Sequence, residues 1–269
     1  MNKFSILTSL YNSKEFLDNY FNTIFSQEVL PTEIILIDDT NNPDNLKEII
    51  NKKKFLYNFE NIKIIKNNIN LGPAISLNKG VKLCSNDLIF RLDVDDTWSP
   101  DHTKKMITFY LENNDFLIYA VSLKKKNFLT NLKCDNFFIN ENHLIHSSWL
   151  INRTICKNFR YHMLTPSVAL EDYFTLLYYI NKDFKIFFTH YQTVKYNFVE
   201  NSHGRAFSKN IKYQKVRKFI SKKMLIINLY KKKNLLKKIK FFIFDYGLLK
   251  YLILQFWIFD KIYLRKYFK

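Results

Sequence analysis

Glycine is scarce in this chain: four among 269 residues, at Gly72, Gly80, Gly204 and Gly247. They cannot be assembled into a GxGxxG fingerprint or a GxxxxGK[ST] phosphate loop, which excludes the common glycine-rich nucleotide cradles. Each glycine is instead expected where the backbone itself needs one. Cysteine is equally thin. Cys84, Cys134 and Cys156 are odd in number and widely spaced, so they read as reduced thiols of a cytosolic protein, neither a disulfide framework nor a zinc site. The opening MNKFSILTSLYN has too short an apolar run for a secretory signal and reads as a first strand. Acids are nearly missing from the end of the chain. Residues 205–269 carry 19 Lys and Arg against Asp245 and Asp260 alone, which places seventeen of the eighteen net positive charges there. A near-neutral body with a basic tail points to an anionic partner, membrane lipid or nucleic acid. An AT-rich coding sequence is a second source of Lys, Asn, Ile and Phe.

What is present suffices for one large domain with an appendage: 47% of residues are hydrophobic and 17% aromatic. Strand patterns at 4–10, 33–37, 62–65 and 88–92 alternate with helix patterns at 14–26, 44–57, 73–83 and 100–113, the last with Pro100 in its first turn. That alternation predicts βαβ units and an α/β fold with a central, mostly parallel sheet, whose ligands bind at the carboxyl ends of the strands. Further strands are expected at 116–121, 185–188 and 193–198 and a helix at 172–180, with no internal repeat. Residues 206–240 read as basic helical segments. Residues 241–259 (FFIFDYGLLKYLILQFWIF) are long enough for a membrane span. Asp245, Lys250 and Gln255 interrupt that run, and each central charge costs about 2.5–3.5 kcal/mol on insertion scales. We therefore favour a segment lying in the membrane interface, held by apolar burial and anionic lipid, over a span or a helix docked on the domain. Lys clusters alternating with apolar runs suit lipid better than a nucleic-acid duplex.

Three stretches carry candidate chemistry. In FRLDVDDTWSP, residues 90–100, a strand ends in Asp93, Asp95 and Asp96. Like charges packed so tightly repel, and a divalent cation relieves them; Mg2+ or Mn2+ is commonly held by one or two carboxylates plus substrate phosphates. The alternative is an acidic loop in which Asp96 or Ser99 caps the helix near Pro100. In EIILIDDTNNPD a second strand ends in Asp38 and Asp39, placed either to accept from a ribose hydroxyl or base N–H, or simply to form a turn and helix cap. In NINLGPAISLNKG, Gly72 lies where a loop enters a helix, a place for backbone to approach a ligand.

Together these stretches resemble family 2 glycosyltransferases, the large inverting group with the GT-A fold, of the bacterial surface-polysaccharide and lipooligosaccharide type. The family's opening P-x-Y-N is met by Ser9-Leu10-Tyr11-Asn12, with Ser9 in the proline position. Its D-D-G-S is met by Asp38-Asp39-Thr40-Asn41, its N-x-G segment by Asn70 to Gly80, and its D-x-D-D by Asp93 to Asp96, with Pro100 four residues on. Order and spacing agree over residues 4–113. The family's later E-D pair is matched by Glu171-Asp172.

The resemblance implies a metal-dependent transferase with Mn2+ or Mg2+ as cofactor. It implies donor contacts from Ser9, Leu10, Tyr11, Asp38, Asp39, Asn70, Gly72, Asn78, Asp93, Val94 and Asp95, and a metal held by Asp95, Asp93 and His203. It makes Asp172 the general base, as an inverting transfer needs on the face opposite the leaving diphosphate; first-turn acids complementing a helix dipole are the other reading. His146 and His203 fall near the family's acceptor and diphosphate sides, and Arg91, Arg153 and Arg205 are candidates to offset phosphate charge. The Q-x-x-R-W motif of processive members is missing, which argues for single-sugar addition. The expected reaction moves one hexose or N-acetylhexosamine from a UDP-sugar to a lipid-linked saccharide, lipooligosaccharide or polysaccharide acceptor. Residues 1–205 would be the transferase domain and 206–269 would hold it peripherally on the cytoplasmic face of the inner membrane. A nucleotidyltransferase is the alternative enzyme, but residues 8–13 lack the glycine-rich basic loop it needs.

Overall fold

The computed structural model describes residues 3–40, 46–123, 130–131, 142–162 and 171–195. The expectations for 44–45, 196–198, Cys134, His203, Arg205 and the tail 206–269 lie outside the described residues. The elements run β1 (Phe4–Leu10), α1 (Leu17–Phe25), β2 (Glu33–Asp38), α2 (Leu46–Tyr57), β3 (Ile62–Lys66), α3 (Pro73–Leu83), β4 (Leu88–Arg91), β5 (Thr97–Trp98), α4 (His102–Glu112), β6 (Ile118–Val121), β7 (Thr130–Asn131), β8 (Leu150–Asn152), α5 (Glu171–Asn181), β9 (Ile186–Thr189) and β10 (Val194–Lys195).

One sheet holds eight strands in the order β3-β2-β1-β4-β8-β6-β9-β7, while β5 pairs with β10 apart from it. The apolar runs of β1 and β2 are buried because each has parallel neighbours on both sides and helices over its faces. Side chains alternate between two cores with the strand period of two. Ile6, Leu10, Ile34, Leu36 and Phe90 meet α1, α2 and α4 on one face. Leu7, Ile35, Ile37 and Ile89 meet α3 and α5 on the other. The chain steps outward from β1 through β2 to β3, then returns to place β4 on the opposite side of β1. That reversal opens a crevice at the carboxyl ends of β1 and β4, where the motif residues lie.

Two glycines set how closely α3 approaches. Gly72 has φ 81°, a left-handed conformation that turns the loop into the helix. Gly80 faces the sheet, where an added Cβ would stand 2.2 Å from Leu7 Cδ1 and 3.2 Å from Ile37 Cγ1.

Two expectations need correction. Pro100 does not lie in the first turn of α4: the helix starts at His102 with Asp101 at its cap, and the Pro100 carbonyl accepts from the Glu28 N–H at 2.8 Å. Ser99 donates to Asp101 Oδ1 at 2.5 Å, and neither Ser99 nor Asp96 caps the helix. Arg153 is not a phosphate ligand. Its guanidinium donates to the carbonyls of Val81 (2.9 Å), Cys84 (2.9 Å) and Asn86 (2.6 Å), satisfying the last turn of α3 that the helix cannot satisfy itself. Charged-donor hydrogen bonds of this kind contribute about 1.5–3 kcal/mol. Arg153→Met should therefore destabilise the fold by roughly 2 kcal/mol in denaturant unfolding while leaving nucleotide affinity within error.

Candidate functional site

The site is assembled by an antiparallel strand that the sequence pattern did not announce. β8 runs against β4 with Leu150 opposite Phe90, so the residues before β8 lie beside the residues after β4. The register continues past both strands: Arg91 N–H donates to the Trp149 carbonyl at 2.9 Å, and Asp93 N–H donates to Ser147 Oγ at 3.1 Å. A single 3-10 turn, His146–Ser148, is thereby pressed against the acidic turn 93–96.

The three carboxylates of that turn point to different partners. Asp93 pairs with the Arg91 guanidinium and accepts from Ser147 Oγ at 2.9 Å. Asp96 is buried and turned inward onto the same Ser147 hydroxyl. Asp95 is only partly covered. Burial opposes the Asp93 charge, but Arg91 outweighs it and holds the carboxyl below the usual carboxylate range. At Asp95 the balance runs the other way: burial and the Asp93 charge outweigh Arg91 and push it up to about 6. Arg91 is itself fully enclosed, also donating to the carbonyls of Leu7 and Leu92, so it neutralises the turn from inside and is not placed to meet a phosphate.

This donor set fits a hard divalent cation in one particular form. Asp95 is a carboxylate whose surroundings disfavour its charge, which a cation would reverse. Asp93 lies beside it. Among the described residues no group of three or more His, Cys, Asp and Glu is arranged to hold a metal ion. The protein's share of such a site would be one or two carboxylates, leaving the rest of the shell to oxygens of a bound ligand.

Beside this turn, at the end of β2, Asp38 accepts from Thr40 N–H at 3.0 Å. Asp39 acts as a clamp: its two oxygens accept from the N–H groups of Leu71 and Gly72 and from Asn67 Nδ2, each at 2.8 Å. Asn70 Nδ2 reaches the Asp39 carbonyl at 3.3 Å. Asp39 thereby fixes the loop that leads into α3. Ser9 and Leu10 lie at the end of β1, with Leu10 buried and Tyr11 beyond it 39% exposed.

Across from the 93–96 turn, Asp172 lies in the first turn of α5 and is held by Asn142 Nδ2 and the Tyr173 N–H, both at 2.6 Å. Its neighbour Glu171 is buried, and burial with the charges of Asp172 and Asp93 pushes it up to about 8. His146 stands between the two ends, its Nδ1 3.9 Å from both Asp93 Oδ2 and Glu171 Oε1. Burial and Arg91 push its pKa down to about 3, so the ring is neutral near pH 7.

The family model described as glycosyl transferase family 2 matches residues 5–170. The chain belongs to that family. An Escherichia coli UDP-Gal:alpha-D-GlcNAc-diphosphoundecaprenol beta-1,3-galactosyltransferase is 29% identical over 120 residues, covering 44% of this chain and 42% of that protein. A Methanocaldococcus jannaschii uncharacterized glycosyltransferase, MJ1057, is 26% identical over 266 residues, covering 93% and 88%. The chain spans less than half the length of the first curated relatives it matches, from 34% to 44%. Among solved structures, Staphylococcus aureus TarS 1-349 in complex with UDP-GlcNAc superposes with TM-score 0.60 at 17% identity, covering 75% of this chain and 60% of that one. The mannosyltransferase PcManGT from Pyrobaculum calidifontis, in complex with GDP-Man and Mn2+, gives 0.57 at 11% identity, covering 95% and 82%. These likenesses show the GT-A fold expected for a family 2 glycosyltransferase.

Within this family 2 chain, β1, β2 and β4 bring Ser9 to Tyr11, Asp38, Asp39 and residues 93–96 to one edge of the sheet, and α5 brings Asp172. Asn78 is used differently from the expectation. Both polar atoms of its amide bond the Tyr161 main chain, at 2.9 and 2.6 Å, so it fastens α3 to the 159–162 segment. Ser147 was missed by sequence reasoning, since a lone serine in HLIHSSWL carries no signal until β8 is paired with β4. Glu171 gives a test of the electrostatics. Its carboxyl keeps a proton in the folded chain up to about pH 8 but loses it near the ordinary value of 4.5 when unfolded. Between those values the folded state binds more protons, so stability falls as pH rises. We expect the thermal midpoint of the metal-free protein to fall from pH 5 to pH 8, and Glu171→Gln to flatten that slope.

Proposed function

We propose that this chain is an inverting glycosyltransferase that moves a single hexose or N-acetylhexosamine from a UDP-sugar to a saccharide or lipid-linked saccharide acceptor. The observation that carries this reading is the meeting of Asp38 and Asp39, the 93–96 turn and Asp172 at one edge of the sheet, from three separate segments. Asp38 and the strand-end residues Ser9, Leu10 and Tyr11 would receive the nucleoside, and the Asn70–Gly72 loop held by Asp39 would close over it. Asp95, with Asp93, would hold Mn2+ or Mg2+ against the diphosphate. When bound, the cation supplies Lewis-acid stabilisation of the leaving diphosphate. Asp172 takes the proton from the acceptor hydroxyl as that oxygen attacks the donor carbon, and the Asn142 amide fixes the carboxylate for that step.

The basic tail extends the reading. Residues 1–205 would form the transferase domain, and residues 206–269 would bind an anionic membrane surface, placing the protein peripherally on the cytoplasmic face of the inner membrane. Among the described residues no helix is long and apolar enough to cross a membrane. The diphosphoundecaprenol-linked acceptor in the name of the E. coli relative supports an acceptor of that class.

Three measurements test these assignments. Asp172→Asn should lower sugar transfer by about 100-fold or more with nucleotide affinity retained; full activity would remove Asp172 from the base role. Chelation should abolish UDP release from a UDP-sugar, Mn2+ should restore it, and Asp95→Asn should not respond to Mn2+. The full chain should co-sediment with phosphatidylglycerol vesicles in low salt and less so as salt rises; equal binding to neutral phosphatidylcholine vesicles would overturn the charge-based account of the tail.

A further inference from the structure

The His146-Ser147 pair touches both ends of the proposed reaction, and no motif of the sequence marks it. Ser147 is fully buried. Its hydroxyl oxygen receives the Asp93 N–H at 3.1 Å, lies 2.9 Å from Asp93 Oδ2 and contacts Asp96 Oδ2. Its carbonyl accepts from Trp98 Nε1–H at 2.7 Å, fastening the far end of the same turn. The one hydroxyl proton can serve only one of the two carboxylates at a time. His146 shows the same arrangement one residue earlier. Its Nδ1 is 3.9 Å from Asp93 Oδ2 and 3.9 Å from Glu171 Oε1, while Nε2 is buried without a partner. The ring is wedged edge-on against Trp149 and Tyr161, with centroids 4.8 and 5.5 Å away.

We propose that His146-Ser147 is a positioning bracket, fixing the acidic turn 93–96 relative to the start of α5 so that the donor end and the acceptor-side base keep one separation. The proposal rests on the donor and base assignments made above. Ser147 sets the direction in which Asp93 and Asp95 present their oxygens, by anchoring the turn at Asp93, Asp96 and Trp98. His146 sets the distance. It stands between the two carboxyl groups, with Nδ1 at the same 3.9 Å from each. Transfer is sensitive to such spacing, because a 1 Å misplacement of reacting groups can cost about 100-fold in rate. Neither residue touches the reacting atoms in this arrangement, and both act through Asp93, Asp96 and Glu171.

The test separates a bracket from mere packing. His146→Phe keeps an aromatic wedge between Trp149 and Tyr161 but has no ring N–H. His146→Asn loses the wedge but keeps an N–H close to the Nδ1 position. Turnover is read as UDP release by the full chain in Mn2+ with UDP-glucose, UDP-galactose and UDP-N-acetylglucosamine, and UDP affinity is read by calorimetry. The bracket predicts that His146→Phe lowers kcat by about 10- to 100-fold with UDP affinity little changed, and that His146→Asn recovers most of the loss despite a lower melting temperature. Ser147→Ala should weaken Mn2+-dependent UDP binding by about 10-fold or more, since it loosens the turn itself. A more active His146→Phe than His146→Asn, or Ser147→Ala with wild-type UDP affinity, overturns the bracket while the donor site stands. UDP binding that ignores Mn2+ and survives Asp95→Asn overturns the donor assignment, and the bracket with it; this is read from the wild type and Asp95→Asn alone.

Discussion

The buried Arg91 guanidinium is the contact on which the site depends. Asp93, Asp95, Asp96 and Glu171 gather where β4 ends, and two unit charges 4 Å apart interact by about 4 kcal/mol at an effective dielectric of 20. Arg91 answers from below. It is 1% exposed, pairs with Asp93, and reaches the carbonyls of Leu7 in the middle of β1 and of Leu92 just past β4. A buried arginine is tolerated only with a charge partner, and the pairing turns one Asp93 oxygen inward. The other Asp93 oxygen is left for Ser147, and Asp95 is left facing the open side of the turn. One inward charge therefore divides three similar carboxylates into distinct roles.

The same division of labour appears at β2. Asp38 and Asp39 are adjacent and alternate in direction, as strand-end residues must. Asp39 points back to gather the Leu71 and Gly72 N–H groups and Asn67 Nδ2, and Asn67 in turn accepts from Lys79 Nζ at 2.9 Å. That chain of bonds ties the strand end to α3 across the loop. Gly72 turns left-handed there, and Gly80 lets α3 close on β1, so the loop is held from both sides. The two glycines of the described chain are thus both used to bring one helix and one loop against the sheet edge. Two adjacent acids thus take different partners, Asp38 the Thr40 N–H and Asp39 the loop into α3, and sequence spacing does not say which is which.

What was legible in the sequence follows from this. The first four strands and three intervening helices carry strong periodicity, and the structure places β1, β3 and α3 within a residue of the expected spans. Their ends hold the acids by motif. β8 is different: three residues, Leu150–Asn152, give no periodic signal, and its antiparallel direction is set only by its neighbours β4 and β6. Everything that depends on β8 was therefore hidden, including Ser147 and the His146 wedge. Arg153 and Asn78 were misread for a related reason. Each is a polar residue near a motif, and only the structure shows that its hydrogen bonds close on backbone of α3 and of the 159–162 segment. Pro100 followed a correct preference to the wrong residue, because the turn holding Ser99 and Asp101 delays the helix by two positions.

The arrangement also explains why this edge of the sheet is built from acids that resist ionisation. Glu171 is protonated near neutral pH and Asp95 titrates near 6, so the empty site carries less negative charge than its composition suggests. Had all of them stayed ionised, the repulsion would oppose folding of the very turn that must be rigid. Arg91 alone offsets one carboxylate, burial keeps another protonated, and Asp95 is left at the margin. A group poised this way gains most from an added cation, since binding both restores its charge and removes the proton that folding had imposed. Ligand binding then stabilises the folded site in proportion to what the carboxylates cost it when alone. The acidic turn is costly on its own, and Arg91, Ser147 and Trp98 around it are what keep it in shape.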